Sequence, residues 1–382
     1  MKNPFIARAT SLQAAVLKAT LRRSFGPMRR ATETIRRALA ATRPVKAAVK
    51  DAVRTTQKTA TAAASARLQE RSVKPAAPLL GSVETQQFTN SAGTRAYKVY
   101  VPVGKSKSPR AMVVMLHGCK QSVDDFATGT RMNRLADVHG FLVLYPEQSA
   151  QANASKCWNW FQPQDQLRGD GEPSLVAGIT REVAGKYGVD PLRIFVAGLS
   201  AGAAMAVVLG ETYPEIFAGV GAHSGLPYGG AHDLGTALLA MKGGRSGIPG
   251  LRKLSVWTPA SGRSAKQAVP VIVFHGDRDH TVQQSNSNLV VQQARDAHAA
   301  QPGEGELRVG TKFGVSPGGR RFSREVHTDS EGQARIENWT LHGAGHAWSG
   351  GHASGSYTDG AGPDASAEMV RFFMDLPRAD TA

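Results

Sequence analysis

This sequence predicts an α/β fold: a mostly parallel central sheet flanked by helices. Three observations lead there. Short Val/Ile/Leu-rich runs recur from residue 94 onward. Segments of helical periodicity separate them. The runs are continuously apolar rather than alternating, as strands covered on both faces must be.

Taken in order, Thr94–Pro102 (TRAYKVYVP) alternates and reads as an edge strand. Ala111–Leu116 (AMVVML) is a buried strand with a sharp exit at His117-Gly118. Met132–His139 is helical, and Phe141–Tyr145 (FLVLY) is a second buried strand. Ser174–Tyr187 is helical, Arg193–Ala197 a strand, Ala201–Glu211 helical and Phe217–Gly221 a strand. Val269–Phe274 (VPVIVF) is a strand, followed by a helix near Ser287–His298. Glu306–Val309, Arg321–His327 and Ala334–Leu341 read as strands, and a last helix runs near Ser366–Met374. Segments 225–268 and 311–335 are taken as the loops that set pocket depth. In open parallel sheets, functional groups gather at the carboxyl ends of the strands.

A length of 382 residues accommodates one large domain and an appendage. The formal charge of +16 is unevenly spread: residues 1–75 carry 17 Lys and Arg against Glu33, Asp51 and Glu70, a net of +14. The remainder carries 29 against 27, a net of +2. Two domains are therefore expected: a basic Ala/Arg-rich arm and linker over 1–78, disordered or conditionally helical, and a catalytic domain over 79–378. The arm suits a polymer granule, an anionic surface or nucleic acid. It lacks the interleaved aromatics of a base-stacking surface. No run approaches the 18 or so apolar residues of a membrane span. Arg8, Lys18, Arg22 and Arg23 interrupt every apolar run near the N-terminus, so no secretory h-region is evident. A cytoplasmic or granule-associated placement is thus expected ahead of secretion.

The sharpest chemical signal is Gly198-Leu-Ser-Ala-Gly202, a G-x-S-x-G lying between a buried strand and an Ala-rich helix start. There the backbone is strained and Ser200 is lifted above the sheet as a nucleophile. The Ala201 amide, at the helix N-terminus, points toward a developing oxyanion. A serine needs a base, and the base an orienting acid. Asp279 and Asp277 both follow the strand Val269–Phe274, and Asp279 is preferred because its loop has room to turn back. His346 lies in a glycine-rich loop just past Leu341, where the base belongs; His342 is expected to be structural and His352 solvated. The order Ser, Asp, His is that of the α/β-hydrolase fold. The Cys119 amide, after Gly118, is the candidate second oxyanion donor.

Cys157-Trp-Asn-Trp-Phe161 packs three aromatics into five residues. It serves either as a core plug or, through Trp158 and Trp160 with Trp348 beside His346, as a substrate wall. Counting leaves two readings of the two cysteines open, free thiols or a single bridge, with free thiols the plainer. No H-E-x-x-H, paired CxxC or glycine-rich phosphate loop occurs, so no metal or cofactor is expected.

Together LHGCKQ (116–121), CWNWF (157–161), GLSAGAAM (198–205), HGDRD-x-x-V (275–282) and GAGHAWSGG (343–351) resemble the polyhydroxybutyrate depolymerase-type esterases, a group that includes feruloyl and acetyl xylan esterases. The resemblance spans about residues 82–376. It implies Ser200, Asp279 and His346 as the triad, Cys119 at the oxyanion hole, a Cys119–Cys157 disulfide, and a polyester or small-ester substrate.

Overall fold

The structure is a computed structural model, and it describes residues 79–104, 110–243, 268–303 and 305–377. The basic arm of 1–78, with its expected surface association, lies outside the described residues, as does most of the second half of segment 225–268.

The main sheet has ten strands among the described residues: β1 Ser82–Asn90, β2 Gly93–Val101, β3 Arg110–Leu116, β4 Leu142–Pro146, β5 Val189–Leu199, β6 Gly219–His223, β7 Val271–Gly276, β8 Arg308–Val315, β9 Arg321–Thr328 and β10 Ala334–Leu341. Their spatial order is β1-β2-β4-β3-β5-β6-β7-β10-β9-β8. The run from β4 to β10 is parallel, and the pairs beyond it on either side are antiparallel.

β3 shows why the centre is buried. Its residues Met112, Val114 and Leu116 join a core cluster with Val176, Ile179 and Val183 of α3 (Gly171–Tyr187) and Met205 and Leu209 of α4 (Ala201–Thr212). The alternating residues Val113 and Met115 join a second cluster. There they meet Phe126 of α1 (Val123–Thr130), Met132 and Ala136 of α2 (Met132–His139), and Met369 and Phe373 of α7 (Ala365–Asp375). Period-two alternation thus feeds helical layers on both faces. Two further helices, α5 (Leu234–Met241) and α6 (Ser285–Ala299), complete the described set. No described helix is long and apolar enough to cross a membrane.

Several expectations need correction. The sheet edge is β1 rather than the strand at 94–102; the SVETQQFTN run of β1 is mostly polar and half-exposed, so it carries no apolar signal. Segment 311–335 is largely β8 and β9 rather than a loop. The eight-residue helices α1 and α5 are too short to show a clear period. They are set by their caps: Ser122 accepts from Asp125 N, and Asp233 and Thr236 form a capping box. Strands β5, β6 and β7 each extend about two residues farther toward the rim than their apolar runs suggest.

Candidate active site

Of four neighbouring strands, β5 and β6 end level with each other, and β7 and β10 end level two residues farther on. Leu199 pairs with His223, His223 with Phe274, and Gly276 with Leu341. The residues just past these ends form the candidate site.

Ser200 follows β5 and precedes α4, with φ 58° and ψ −119°, a conformation unfavourable for any side-chain-bearing residue. It is held there by its amide, which donates to the His223 carbonyl at 2.9 Å, and by its carbonyl, which accepts from Ala204 N at 3.0 Å. The flanking glycines are steric necessities. A Cβ on Gly202 would overlap the Leu116 carbonyl and stand 2.6 Å from the His117 oxygen; one on Gly198 would lie 2.5 Å from the Gly202 oxygen. Ala201 is the first residue of α4.

Asp279 follows β7 and is buried. Its Oδ1 accepts from the amides of Thr281 and Val282, both at 2.9 Å, and its Oδ2 accepts from His346 Nδ1 at 2.6 Å. His275 Nε2 donates to the Val282 carbonyl at 2.9 Å and lies 3.5 Å from Asp279 Oδ2. Burial alone would raise the Asp279 pKa. The hydrogen bonds from His275 and His346 and the charge of His346 outweigh burial and hold the carboxyl well below the usual range. The loop bearing His346 is tied down by Arg278 N donating to the Ala344 carbonyl at 3.0 Å.

Asp277 and His342 pair with each other, not with this set. His342 Nδ1 lies 3.0 Å from Asp277 Oδ2, Gly343 N donates to Asp277 Oδ1 at 2.6 Å, and His342 Nε2 lies 3.3 Å from Ser323 Oγ. His352 Nδ1 accepts from Ser354 N within its own turn.

The loop after β3 is braced around Cys119. Gly118 N donates to Gln121 Oε1 (2.9 Å), Lys120 N to the Ser155 carbonyl (2.7 Å) and Gln121 N to the Gly118 carbonyl (3.3 Å). His117 is buried; Gln148 N donates to its Nε2, which puts the proton on Nδ1, facing the Gly118 carbonyl at 2.8 Å. Burial lowers its pKa. Cys119 and Cys157 form a disulfide, so free thiols, the plainer reading of the count, do not hold. The CWNWF run is further anchored on Glu172, which accepts from Asn159 N at 2.7 Å and from Asn159 Nδ2 at 2.9 Å, and pairs with Arg95. Burial first, then the charge of Asp165, pushes the Glu172 carboxyl up to about 7 against these donors.

The burial of the three tryptophans favours the core-plug reading over the substrate wall. Trp158 and Trp348 are 0% and 1% exposed, and Trp160 is 5% exposed. Trp158 Nε1 donates to the His117 carbonyl and Trp348 Nε1 to Ser366 Oγ. With ring and N–H both committed, Trp158 and Trp348 support the site from behind. Sequence reasoning also missed His223 and Gln121. The strand read over 217–221 stopped two residues short of His223; a histidine at the rim, one strand from the elbow, was the available signal. No group of three or more His, Cys, Asp or Glu among the described residues could hold a metal ion.

Comparison with known proteins identifies the family. The family described as esterase PHB depolymerase matches residues 95–311. Poly(3-hydroxyalkanoate) depolymerase C of Paucimonas lemoignei is 32% identical over 259 residues, covering 68% of this chain and 59% of that protein. Poly(3-hydroxybutyrate) depolymerase of Ralstonia pickettii is 28% identical, covering 66% and 51%. Feruloyl esterase B of Neurospora crassa is 35% identical over 145 residues, covering 38% and 48%. The chain thus spans about half the length of these curated relatives, between 48% and 59%. Among solved structures, an acetyl xylan esterase from Aspergillus awamori superposes with a TM-score of 0.59 at 21% identity, covering 78% of this chain and all of that one. That likeness establishes the α/β-hydrolase fold. With the family match extending over more than half of its length, the chain belongs to the PHB depolymerase esterase family.

Proposed function

We propose that the chain is a serine carboxylic-ester hydrolase acting on polyhydroxybutyrate-type polyesters or their oligomers. The observation that carries this reading is the largely buried 2.6 Å contact between His346 Nδ1 and Asp279, on the same rim as a serine in a strained elbow. His346 Nε2 takes the Ser200 proton as Oγ attacks the ester carbonyl. Asp279, ionised, fixes the imidazole tautomer and stabilises the imidazolium. The oxyanion is met by the Ala201 amide and by the Cys119 amide, whose neighbours in the loop are already committed. The alcohol leaves with the proton from His346. Water then attacks the acyl-enzyme through the same base, releasing the acid and restoring Ser200.

Ser200→Ala is expected to abolish hydrolysis of a short p-nitrophenyl ester while the protein stays folded. Full activity in that variant rejects the assignment. Release of 3-hydroxybutyrate from amorphous polymer identifies the polyester substrate; turnover of feruloyl or acetyl esters alone would assign the chain to the small-ester branch, which the match to feruloyl esterase B supports. The disulfide favours an oxidising compartment over the cytoplasm expected from the N-terminal sequence. Intact mass with and without reductant, on protein from its native cell, tests that placement.

A further inference from the structure

We propose that His223 is a positioning residue that sets the His346 loop against the Ser200 elbow. The proposal rests on the assignment of Ser200 and His346 just given. His223 ends β6, the strand between the nucleophile's strand and the acid's. It is fully buried and meets both partners' segments at once. Its carbonyl accepts from Ser200 N at 2.9 Å. Its ring Nε2 accepts from Ser349 N at 3.0 Å, three residues beyond His346. A backbone amide can only donate, so Nε2 carries no proton and Nδ1 carries the ring's hydrogen toward Ser224 Oγ at 3.2 Å. The imidazole stacks on Trp348 at 5.2 Å and on Phe274 at 5.8 Å.

The slot therefore requires a flat ring with an acceptor at its far end and no charge. Burial first, then the charges of His275 and His346, bring the His223 pKa down to about 3, against the pull of Asp279. The ring is thus neutral wherever His346 acts as a base. Phenylalanine would keep the stacking and leave Ser349 N buried without an acceptor, an expensive state that the loop relieves by moving. Glutamine would restore an acceptor near the Nε2 position. Proton transfer between Ser200 and His346 depends steeply on their separation, and a displacement of about 1 Å costs about a hundredfold in rate.

The test compares His223→Phe and His223→Gln with the wild type in three measurements: kcat and KM on a p-nitrophenyl ester, the thermal midpoint, and the rate at which a fluorophosphonate captures the active serine. His223→Phe is expected to lower kcat between about tenfold and a hundredfold with KM within about twofold, and to slow capture by the same factor. His223→Gln is expected to recover kcat to within about threefold of the wild type. If the Phe variant does not fold, His223→Leu, which also lacks an acceptor, takes its place with the same expected deficit. Wild-type kcat in a folded Phe or Leu variant overturns the proposal. So does a Gln variant as slow as Phe, since the acceptor would then not matter. Failure of the underlying reading is separately visible: a fluorophosphonate adduct that maps away from Ser200 in the wild type removes the triad, whatever the His223 variants do.

Discussion

Two His–Asp pairs sit on the same rim of the sheet, built from the same two loops. Asp277 and Asp279 both follow β7, and His342 and His346 both follow β10. The pair at 279 and 346 has side chains 0% and 13% exposed and a 2.6 Å contact. The pair at 277 and 342 has side chains 37% and 36% exposed and a 3.0 Å contact. Chemically the two are the same; the difference lies in desolvation. In the buried pair each hydrogen bond acts at low dielectric and the acid is held by fixed donors, whereas water competes for the exposed pair. The exposed pair also faces Ser323, a mid-strand residue opposite Thr340, with no helix N-terminus behind it. A serine, a histidine and an aspartate within reach of one another do not make a nucleophile without an elbow and an oxyanion site.

This contrast can be broken experimentally. The largest effect is expected from Asp279→Asn, which leaves His346 in the wrong tautomer: kcat on a p-nitrophenyl ester should fall about ten-thousandfold with the fold intact. Next, removing the bridge with Cys119→Ser and Cys157→Ser together frees a loop spanning a sequence separation of 38, worth about 4 kcal/mol of stability on a chain-entropy account. Urea unfolding of the double variant beside the wild type measures it, and an unchanged midpoint would contradict it. The buried side of the rim should also be acid-sensitive. His223 takes up its proton only near pH 3 when folded but near 6.5 when unfolded, so between those values the unfolded chain binds more protons. Its contribution to stability is therefore complete above pH 6.5 and is lost progressively as the pH falls toward 3. The fall in urea midpoint from pH 7 to pH 4 should be smaller in His223→Gln than in the wild type. The smallest effect is expected from Asp277→Asn, with kcat within about twofold of the wild type, as for a half-exposed ion pair. If Asp277→Asn cost as much as Asp279→Asn, burial would not be what separates the two pairs.

The elbow was legible because its constraints are local. Gly198 and Gly202 are needed for close approach, and the apolar strand before Ser200 and the Ala-rich helix after it are contiguous in the chain. Asp279 could be preferred over Asp277 from loop length, but the partner of Asp277 could not be foreseen. The register that sets Gly276 opposite Leu341 brings Asp277 to His342 and Gly343, and a register belongs to the paired strands rather than to either one. The two readings of the tryptophans stayed open for a similar reason: an aromatic beside a reactive loop lines a site or fills the core depending on what packs above it. The position of His223 at the rim was readable, but its ring contact was not, because Ser349 lies 126 residues away.

Sequence alone determined the parallel sheet, the strand–turn–helix elbow at Ser200 and the chain order of Ser200, Asp279 and His346, since each rests on short-range periodicity or on the backbone demands of a few adjacent residues. Tertiary structure alone decided which histidine meets which aspartate, which aromatics are buried and that the His223 ring reaches Ser349. Those outcomes depend on desolvation and strand register, and both are properties of distant segments brought together.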